Sequence, residues 1–202
     1  MNKHILILLA IVFTGCANSN SSLNDEDNRK DKFPIVGFVE QFVSSNPNFD
    51  SNDIMREKAD SIFYAEFVSE SEQKNLIEGI PVKLISLQKD SKENIMAQFE
   101  SWITPPYFDF PLPIKDVNFD IVGSIKESYV ASLNEKSYYI IHGKLISRIY
   151  SIDKFRLLVG RNTRIYTPFF GVRKSDYYSE RYEVSLGMMH YQIDSISQFI
   201  NY

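Results

Sequence analysis

The sequence predicts an α+β fold in which helices come first and strands follow. Apolar residues recur every three to four positions over residues 33–79, which is the period of a helix face. Over residues 80–202 they alternate in several segments, which is the period of a strand. The chain is 44% hydrophobic and 14% aromatic, which is enough apolar material for an ordinary core. We therefore expect one domain over residues 33–202, with N-terminal helices packed beside an antiparallel β part.

Three helices are predicted in the helical part. The first spans Phe33 to Ser45, where Pro34 suits the first turn. Its apolar face consists of Ile35, Val36, Val39, Phe42 and Val43. The second covers residues 53–68, with an apolar face of Met55, Ala59, Ile62, Phe63 and Phe67. Ser69 and Glu72 have the spacing of a capping box, which predicts a third, short helix ending at Gly79 and Pro81.

Four strands are predicted in the β part, with a short helix between the last two. The strands cover residues 80–89, 94–103, 117–125 and 138–149, and the helix covers 126–135. Further strand candidates are Phe155 to Val159, Arg181 to Leu186 and Met188 to Ile196. Gly187 predicts a bulge, and Gly143 predicts a bend, a bulge or a close backbone approach within the fourth strand.

Three strands, a helix and then two or more strands is the order of a five-stranded OB barrel. The stretch from Tyr139 to Ile149, with Gly143-Lys144 in its middle, resembles the fourth strand of anticodon-binding-like OB domains of small exported bacterial proteins. The resemblance covers at most residues 80–196 and implies an OB-like antiparallel β-barrel. Residues 160–181 depart from the compact pattern and would be an insertion. The resemblance transfers no ligand-binding residue.

The first fifteen residues have the features of a secretory signal. One basic residue, Lys3, precedes an apolar run from Ile5 to Phe13, and small residues follow. The run is shorter than the roughly 20 apolar residues that a membrane-spanning helix needs. Phe13-Thr14-Gly15-Cys16 resembles the lipobox of bacterial lipoproteins, with Phe13 in place of the usual aliphatic residue. The resemblance implies cleavage before Cys16 and acylation of this cysteine.

Cys16 is the only cysteine in the chain. The alternative is an ordinary signal peptide with an incidental cysteine, which would leave an unpaired thiol in an exported protein. The polar residues 16–32 bury too little apolar surface to fold, so we expect a flexible tether. Within it Asp25-Glu26-Asp27 resembles the acidic tag that directs some lipoproteins to the cell surface; a solvated linker is the alternative. We expect a lipid-anchored protein of the bacterial cell envelope, on the periplasmic or surface-exposed face of the outer membrane.

A positively charged stretch lies between His142 and Lys174. It holds one acidic residue, Asp153, against eight basic residues, whereas the whole chain has a net charge of −4. The basic residues are Lys144, Arg148, Lys154, Arg156, Arg161, Arg164, Arg173 and Lys174. The aromatic residues among them are Tyr150, Phe155, Tyr166, Phe169 and Phe170, a mixture that binders of single-stranded nucleic acids use.

Three interpretations of this stretch stay open. The cations pair with the acidic helical part, or they bind an anionic glycan, a lipid headgroup or another polyanion, or they bind nucleic acid. The negative net charge and the expected export disfavour nucleic acid. A polyanion site requires Arg161, Arg164, Arg173 and Lys174 to converge beside Tyr166 or Phe169.

An aromatic, proline-rich segment covers residues 102–113. Its aromatic residues are Trp102, Tyr107, Phe108 and Phe110. Prolines stiffen a loop, and rigid exposed aromatic rings are favoured in recognition surfaces. The segment is therefore either part of the core or an edge that contacts a ligand or a partner.

No residue pattern predicts a catalytic or metal site, and we expect no cofactor. His142 and His190 lack metal-ligand spacing, so we expect each to be a hydrogen-bonded strand residue. The chain has no phosphate-binding glycine loop and no Gly-x-Ser-x-Gly sequence. We expect a non-enzymatic binding or envelope-associated module whose partners are the membrane and an anionic glycan or an envelope protein. The alternative is a glycan- or polymer-processing hydrolase whose carboxylates, such as Asp109, Glu180 and Glu183, converge only in the fold.

Overall fold

A computed structural model describes most of the chain after residue 32. The described residues are 33–90, 92–101, 105, 108–151, 154, 158, 170–176, 178 and 180–200. The predicted signal segment, Cys16 and the predicted tether 16–32 lie outside the described residues.

Two helices form the front of the domain, α1 (Pro34–Ser45) and α2 (Asp53–Ser71). Pro34 occupies the first turn of α1, as predicted. The side chain of Asn52 caps α2 by accepting a hydrogen bond of 3.0 Å from the backbone N–H of Met55. Both predicted apolar faces are turned inward, and Phe38, which was not predicted, is also buried in α1.

The predicted third helix, beginning at a capping box on Ser69 and Glu72, is wrong. Ser69 lies inside α2, which runs on to Ser71, and turns follow over residues 72–79. The buried stripe of Ala59, Phe63 and Phe67 continues at the same four-residue spacing to Ser71, so packing extends the helix past the local capping signal.

Six strands and one short helix form the rest of the described fold. They are β1 (Val82–Lys89), β2 (Ile95–Glu100), β3 (Ile114–Ile125), α3 (Glu127–Val130), β4 (Tyr138–Ile149), β5 (Gly171–Lys174) and β6 (Tyr182–Gln198). The predicted strands correspond to β1 to β4, and the two last candidates form the single strand β6. The four-residue strand β5 was not predicted. Leu158 is helical, against the strand predicted for Phe155 to Val159, because a short apolar run does not distinguish the two structures.

The strands form one sheet in which most pairings are antiparallel. Strand β1 pairs with β2 and β4, β2 pairs with β3, and β6 pairs with β4 and β5, all in antiparallel orientation. Strand β3 also pairs with β6 in parallel orientation. The β1–β4 pairing is confined to Val82–Tyr139 and Lys83–Tyr138, so further along β4 only β6 is hydrogen-bonded to it.

Both predicted glycine irregularities are present. Gly187 has φ 64°, and the β3–β6 register shifts between Asn118 and Phe119 at this point, which is the predicted bulge. The β4–β6 register shifts between His142 and Gly143. A Cβ on Gly143 would overlap the backbone carbonyl oxygen of Gln192, so this glycine permits the close backbone approach.

The core lies between the two long helices and the sheet. The ring of Phe63 in α2 packs at 5.1 Å from Phe38, 5.0 Å from Phe42 and 5.6 Å from Phe170, measured between centroids. Val117, Phe119 and Ile121 of β3 belong to the same buried cluster. None of the described helices combines the length and the apolar character that crossing a membrane requires.

Candidate binding cleft beside Arg148

A cleft of about 280 Å³ separates the C-terminal half of α2 from the side of β4 that β1 leaves unpaired. Tyr64, Val68 and Glu72 line one wall, and Leu145, Ile146 and Arg148 line the other. The first three residues are four positions apart, so they share one face of α2. On β4 the register shifts between Leu145 and Ser147, which makes Ile146 the extra residue of a bulge and leaves it 54% exposed.

The guanidinium of Arg148 is surrounded by aromatic rings. Its Cζ lies 3.6 Å from the ring centroid of Phe170, 5.1 Å from that of Tyr64 and 5.0 Å from that of Tyr150. These are cation–π distances, and such contacts stabilise a guanidinium most where water is excluded. Burial lowers the pKa of Arg148 from its ordinary value, but an arginine remains charged at physiological pH.

Arg148 has no carboxylate partner within the described part of the chain. Its Nε is buried and has no hydrogen-bond partner among the residues that the structure describes. Buried polar groups are almost always hydrogen-bonded, because an unmade hydrogen bond costs the desolvation of the group. The positive charge at this cleft is therefore not neutralised by the surrounding described residues.

Tyr150 lies at the mouth of the cleft and is 68% exposed. Its ring packs edge-on against Tyr64 at 5.8 Å between centroids. Partial burial and the hydrogen bond with Tyr64 raise the pKa of Tyr150, although the positive charge of Arg148 opposes the shift. The Tyr150 hydroxyl therefore keeps its proton at neutral pH and can donate it to an acceptor in the cleft.

Arg173, a second arginine of the positive stretch, is placed differently. Its Nη1 and Nη2 donate to the two carboxylate oxygens of Asp60 in α2, both at 2.6 Å. The backbone N–H of Lys174 donates to Asp50 at 2.9 Å. For Arg173 the structure thus contains the pairing with the acidic helical part that was one of the three interpretations. Arg161, Arg164, Tyr166 and Phe169 lie outside the described residues.

The aromatic segment before β3 packs inward where the structure describes it. Phe110 is 3% exposed, and its ring lies 5.8 Å from Phe33 and 5.0 Å from Phe108. Phe108 also contacts Phe199, at 5.8 Å. Phe110 therefore offers no exposed surface to a partner. Trp102 and Tyr107 lie outside the described residues.

His142 belongs to a hydrogen-bonded chain of side chains. Its Nδ1 lies 2.6 Å from Glu78 Oε1, and its Nε2 lies 3.1 Å from Ser197 Oγ. Asn75 connects Glu78 to Tyr191 by donating to Glu78 at 2.6 Å and accepting from the Tyr191 hydroxyl. Burial raises the pKa of Tyr191, which keeps this hydroxyl a donor. The contacts follow the order of a catalytic triad, in which a nucleophile contacts a base and the base contacts an orienting acid. Here these positions are held by Ser197, His142 and Glu78. The cleft beside Arg148 is lined by other residues.

His190 and Glu183 lie in other surroundings. Burial lowers the pKa of His190, so its neutral form is favoured. Glu183 accepts a hydrogen bond of 2.6 Å from Lys115. In the part of the chain that the structure describes, no group of three or more His, Cys, Asp or Glu residues could hold a metal ion.

The sequence pointed to part of the cleft and missed the rest. Arg148 and Tyr150 belong to the positive, aromatic stretch, although neither was selected as a site residue. Tyr64 and Glu72 had no sequence signal, because they reach the cleft only through the packing of α2 against β4. Comparison of the chain with protein-family models, curated proteins and solved structures found no match.

Proposed function

We propose that this chain is a bacterial lipoprotein that is anchored to the cell envelope through acylated Cys16 and acts as a non-enzymatic binding module. The lipobox-like Phe13-Thr14-Gly15-Cys16 behind an apolar run supports the anchor. One structural observation carries the binding role: a guanidinium enclosed by three aromatic rings, with no described carboxylate partner, opens onto a cleft. A charge that is partly removed from water is costly unless it is paired, and an anionic ligand would pair this one.

We further propose that five of the strands form an OB-like barrel. Its support is the cycle of pairings from β1 through β2, β3, β6 and β4 back to β1, with β3 and β6 parallel. The position of α3 between β3 and β4 matches the helix position of the OB order. In this architecture β5 and the chain that precedes it form the insertion after β4.

The anchor is tested by Cys16→Ala in the full-length chain. We expect the wild-type protein to sediment with membranes and Cys16→Ala to be released. Intact-mass measurement should show a mature N-terminus at Cys16 carrying acyl chains. An unmodified Cys16, or a mature start elsewhere, would contradict the anchor.

The hydrogen-bonded chain of Ser197, His142 and Glu78 is the one observation that favours the alternative, a hydrolase. A serine activated for catalysis reacts with a fluorophosphonate probe because its Oγ is nucleophilic. We expect no labelling of the full-length protein. Labelling that disappears in Ser197→Ala and persists in Ser195→Ala would replace the binding module with a hydrolase.

A further inference from the structure

The donors at one end of the cleft fit a carboxylate. Phe170 covers the guanidinium of Arg148 at 3.6 Å, so a ligand approaches the remaining N–H groups from the cleft. Tyr150 packs against both Arg148 and Tyr64 and lines the cleft, so its hydroxyl adds a neutral donor to the charged one of Arg148. The fork of N–H groups on a guanidinium matches the two oxygens of a carboxylate.

The other end of the cleft carries the opposite charge. Glu72 follows the last residue of α2, where the helix dipole already contributes partial negative charge. Glu72 forms no salt bridge with Arg148, so the two charges stand apart within one cleft. A ring with a second negative charge would be repelled at Glu72, as a sulfated ring would be. A ring with one carboxylate and several hydroxyl donors satisfies both ends.

The size and walls of the cleft restrict the ligand further. A volume of about 280 Å³ is just below the range of about 300–1,000 Å³ that is usual for ligand sites, so one ring fits rather than a large molecule. Ile146 is 54% exposed and Tyr150 is 68% exposed, and both present apolar surface beside the polar ends. This combination suits a sugar ring, which has an apolar C–H face and a hydroxylated edge.

We propose that this cleft binds a hexuronic acid residue of an acidic glycan, with its carboxylate on Arg148 and Tyr150 and its hydroxyl groups toward Glu72. The inference deepens the proposed function as an envelope binding module and rests on it. It places the anion site at Arg148 and Tyr150 rather than at Arg173, whose guanidinium is held by Asp60.

The test uses the mature acylated protein in detergent micelles and isothermal titration calorimetry at about 150 mM salt, where screening removes long-range attraction. The probes are trigalacturonic acid, neutral galactotriose, a zwitterionic dipeptide and heparin. We expect trigalacturonic acid to bind at least about tenfold more tightly than galactotriose, since a charge-assisted hydrogen bond contributes that much. We expect the dipeptide and heparin to bind more weakly than trigalacturonic acid.

Three variants locate the site. Arg148→Gln should weaken trigalacturonic acid binding at least about tenfold, and Tyr150→Phe should weaken it about threefold or more, because one neutral donor is lost. Lys144→Gln is the matched control, since Lys144 is an exposed cation on the same strand and lies outside the cleft. It should change binding less than about twofold. Tyr150→Phe keeps the test valid if Arg148→Gln folds poorly.

The outcomes separate this inference from the proposed function. Equal binding of galactotriose, or an equal effect of Lys144→Gln and Arg148→Gln, would overturn the hexuronate site. Tighter binding of the dipeptide or of heparin, lost in Arg148→Gln, would also overturn it while leaving a binding module. Absence of binding by every probe would overturn the hexuronate site, whereas a mature protein without acyl chains at Cys16 would count against the anchor alone.

Discussion

Arg148 and Arg173 lie in the same positive stretch, and both contact α2, yet their surroundings differ. Asp60 neutralises Arg173 through two hydrogen bonds of 2.6 Å, whereas Tyr64, one helical turn later, offers Arg148 only a ring and a hydroxyl. Arg173 therefore joins β5 to α2. The positive charge of Arg148 has no carboxylate partner among the described residues and lies at the cleft. The comparison shows that a count of cations does not identify a binding residue, because the partner across the fold decides its role.

The largest effect on stability is expected for Asp60→Ala. The side chain of Arg173 is 19% exposed, so Asp60→Ala removes two charge-assisted hydrogen bonds from a partly buried guanidinium. We expect the free energy of unfolding to fall by about 2–3 kcal/mol. Urea unfolding of the full-length chain, followed by circular dichroism, measures this.

Glu66→Ala on the exposed face of the same helix is the control and should change the free energy of unfolding by less than about 0.5 kcal/mol. Equal effects of the two variants would mean that the Arg173–Asp60 pair does not join β5 to α2.

Arg173→Lys should have a smaller effect. The ammonium group of lysine keeps the charge but cannot donate in parallel to both oxygens of Asp60. We expect a loss of about 1 kcal/mol in the free energy of unfolding, less than for Asp60→Ala. The same urea titration measures it. A loss as large as that of Asp60→Ala would show that geometry rather than charge holds the pair.

Arg148→Met should leave stability nearly unchanged. The change removes a partly buried charge that has no described carboxylate partner and replaces it with an apolar side chain of similar length. Such replacements are often neutral or stabilising, so we expect a change of less than about 1 kcal/mol in the free energy of unfolding. A loss similar to that of Asp60→Ala would show that Arg148 is structural and would remove the contrast between the two arginines.

The smallest expected effect is a gradual dependence of stability on pH that is due to His190. It pairs with Ser147 across β4 and β6, next to Arg148, and burial lowers its pKa below the ordinary value of 6.5. The unfolded chain therefore takes up the proton first, so stability is complete above about pH 6.5 and falls as the pH decreases toward the lowered pKa. Thermal midpoints between about pH 5 and pH 8 should show this decline, and His190→Gln should reduce it. An unchanged decline in the variant would assign it to other groups.

The local patterns predicted most of the elements and failed where packing overrides them. The boundaries of β1 and β4 follow from alternation, and Gly187 marks the predicted bulge in β6. The capping signal at Ser69 led to a wrong prediction of a new helix, because burial of Ser71 extends α2 beyond Ser69. The strand β5 has only four residues, which is too short for a recognisable sequence pattern. Its place in the sheet depends on its pairing with β6.

The sequence predicted which types of residue line part of the candidate cleft, namely cations and aromatic rings, but not which residues meet there. The excess of cations and aromatic rings in the positive stretch is a property of the sequence, and Arg148 and Tyr150 belong to it. Tyr64 and Glu72 come from a helix far earlier in the chain, and only the docking of α2 beside β4 brings them to the same cleft.

The sequence alone determined the two long helices and the order of β1 to β4, together with the lipobox-like start and the position of the charged stretch, because each depends on neighbouring residues. The tertiary structure decided which arginine is neutralised and which is enclosed by rings. Those partners lie on a different element, and no local period encodes which side chains meet when a helix packs against a sheet. Arg173 therefore meets Asp60, and Arg148 meets Tyr64, one turn further along α2.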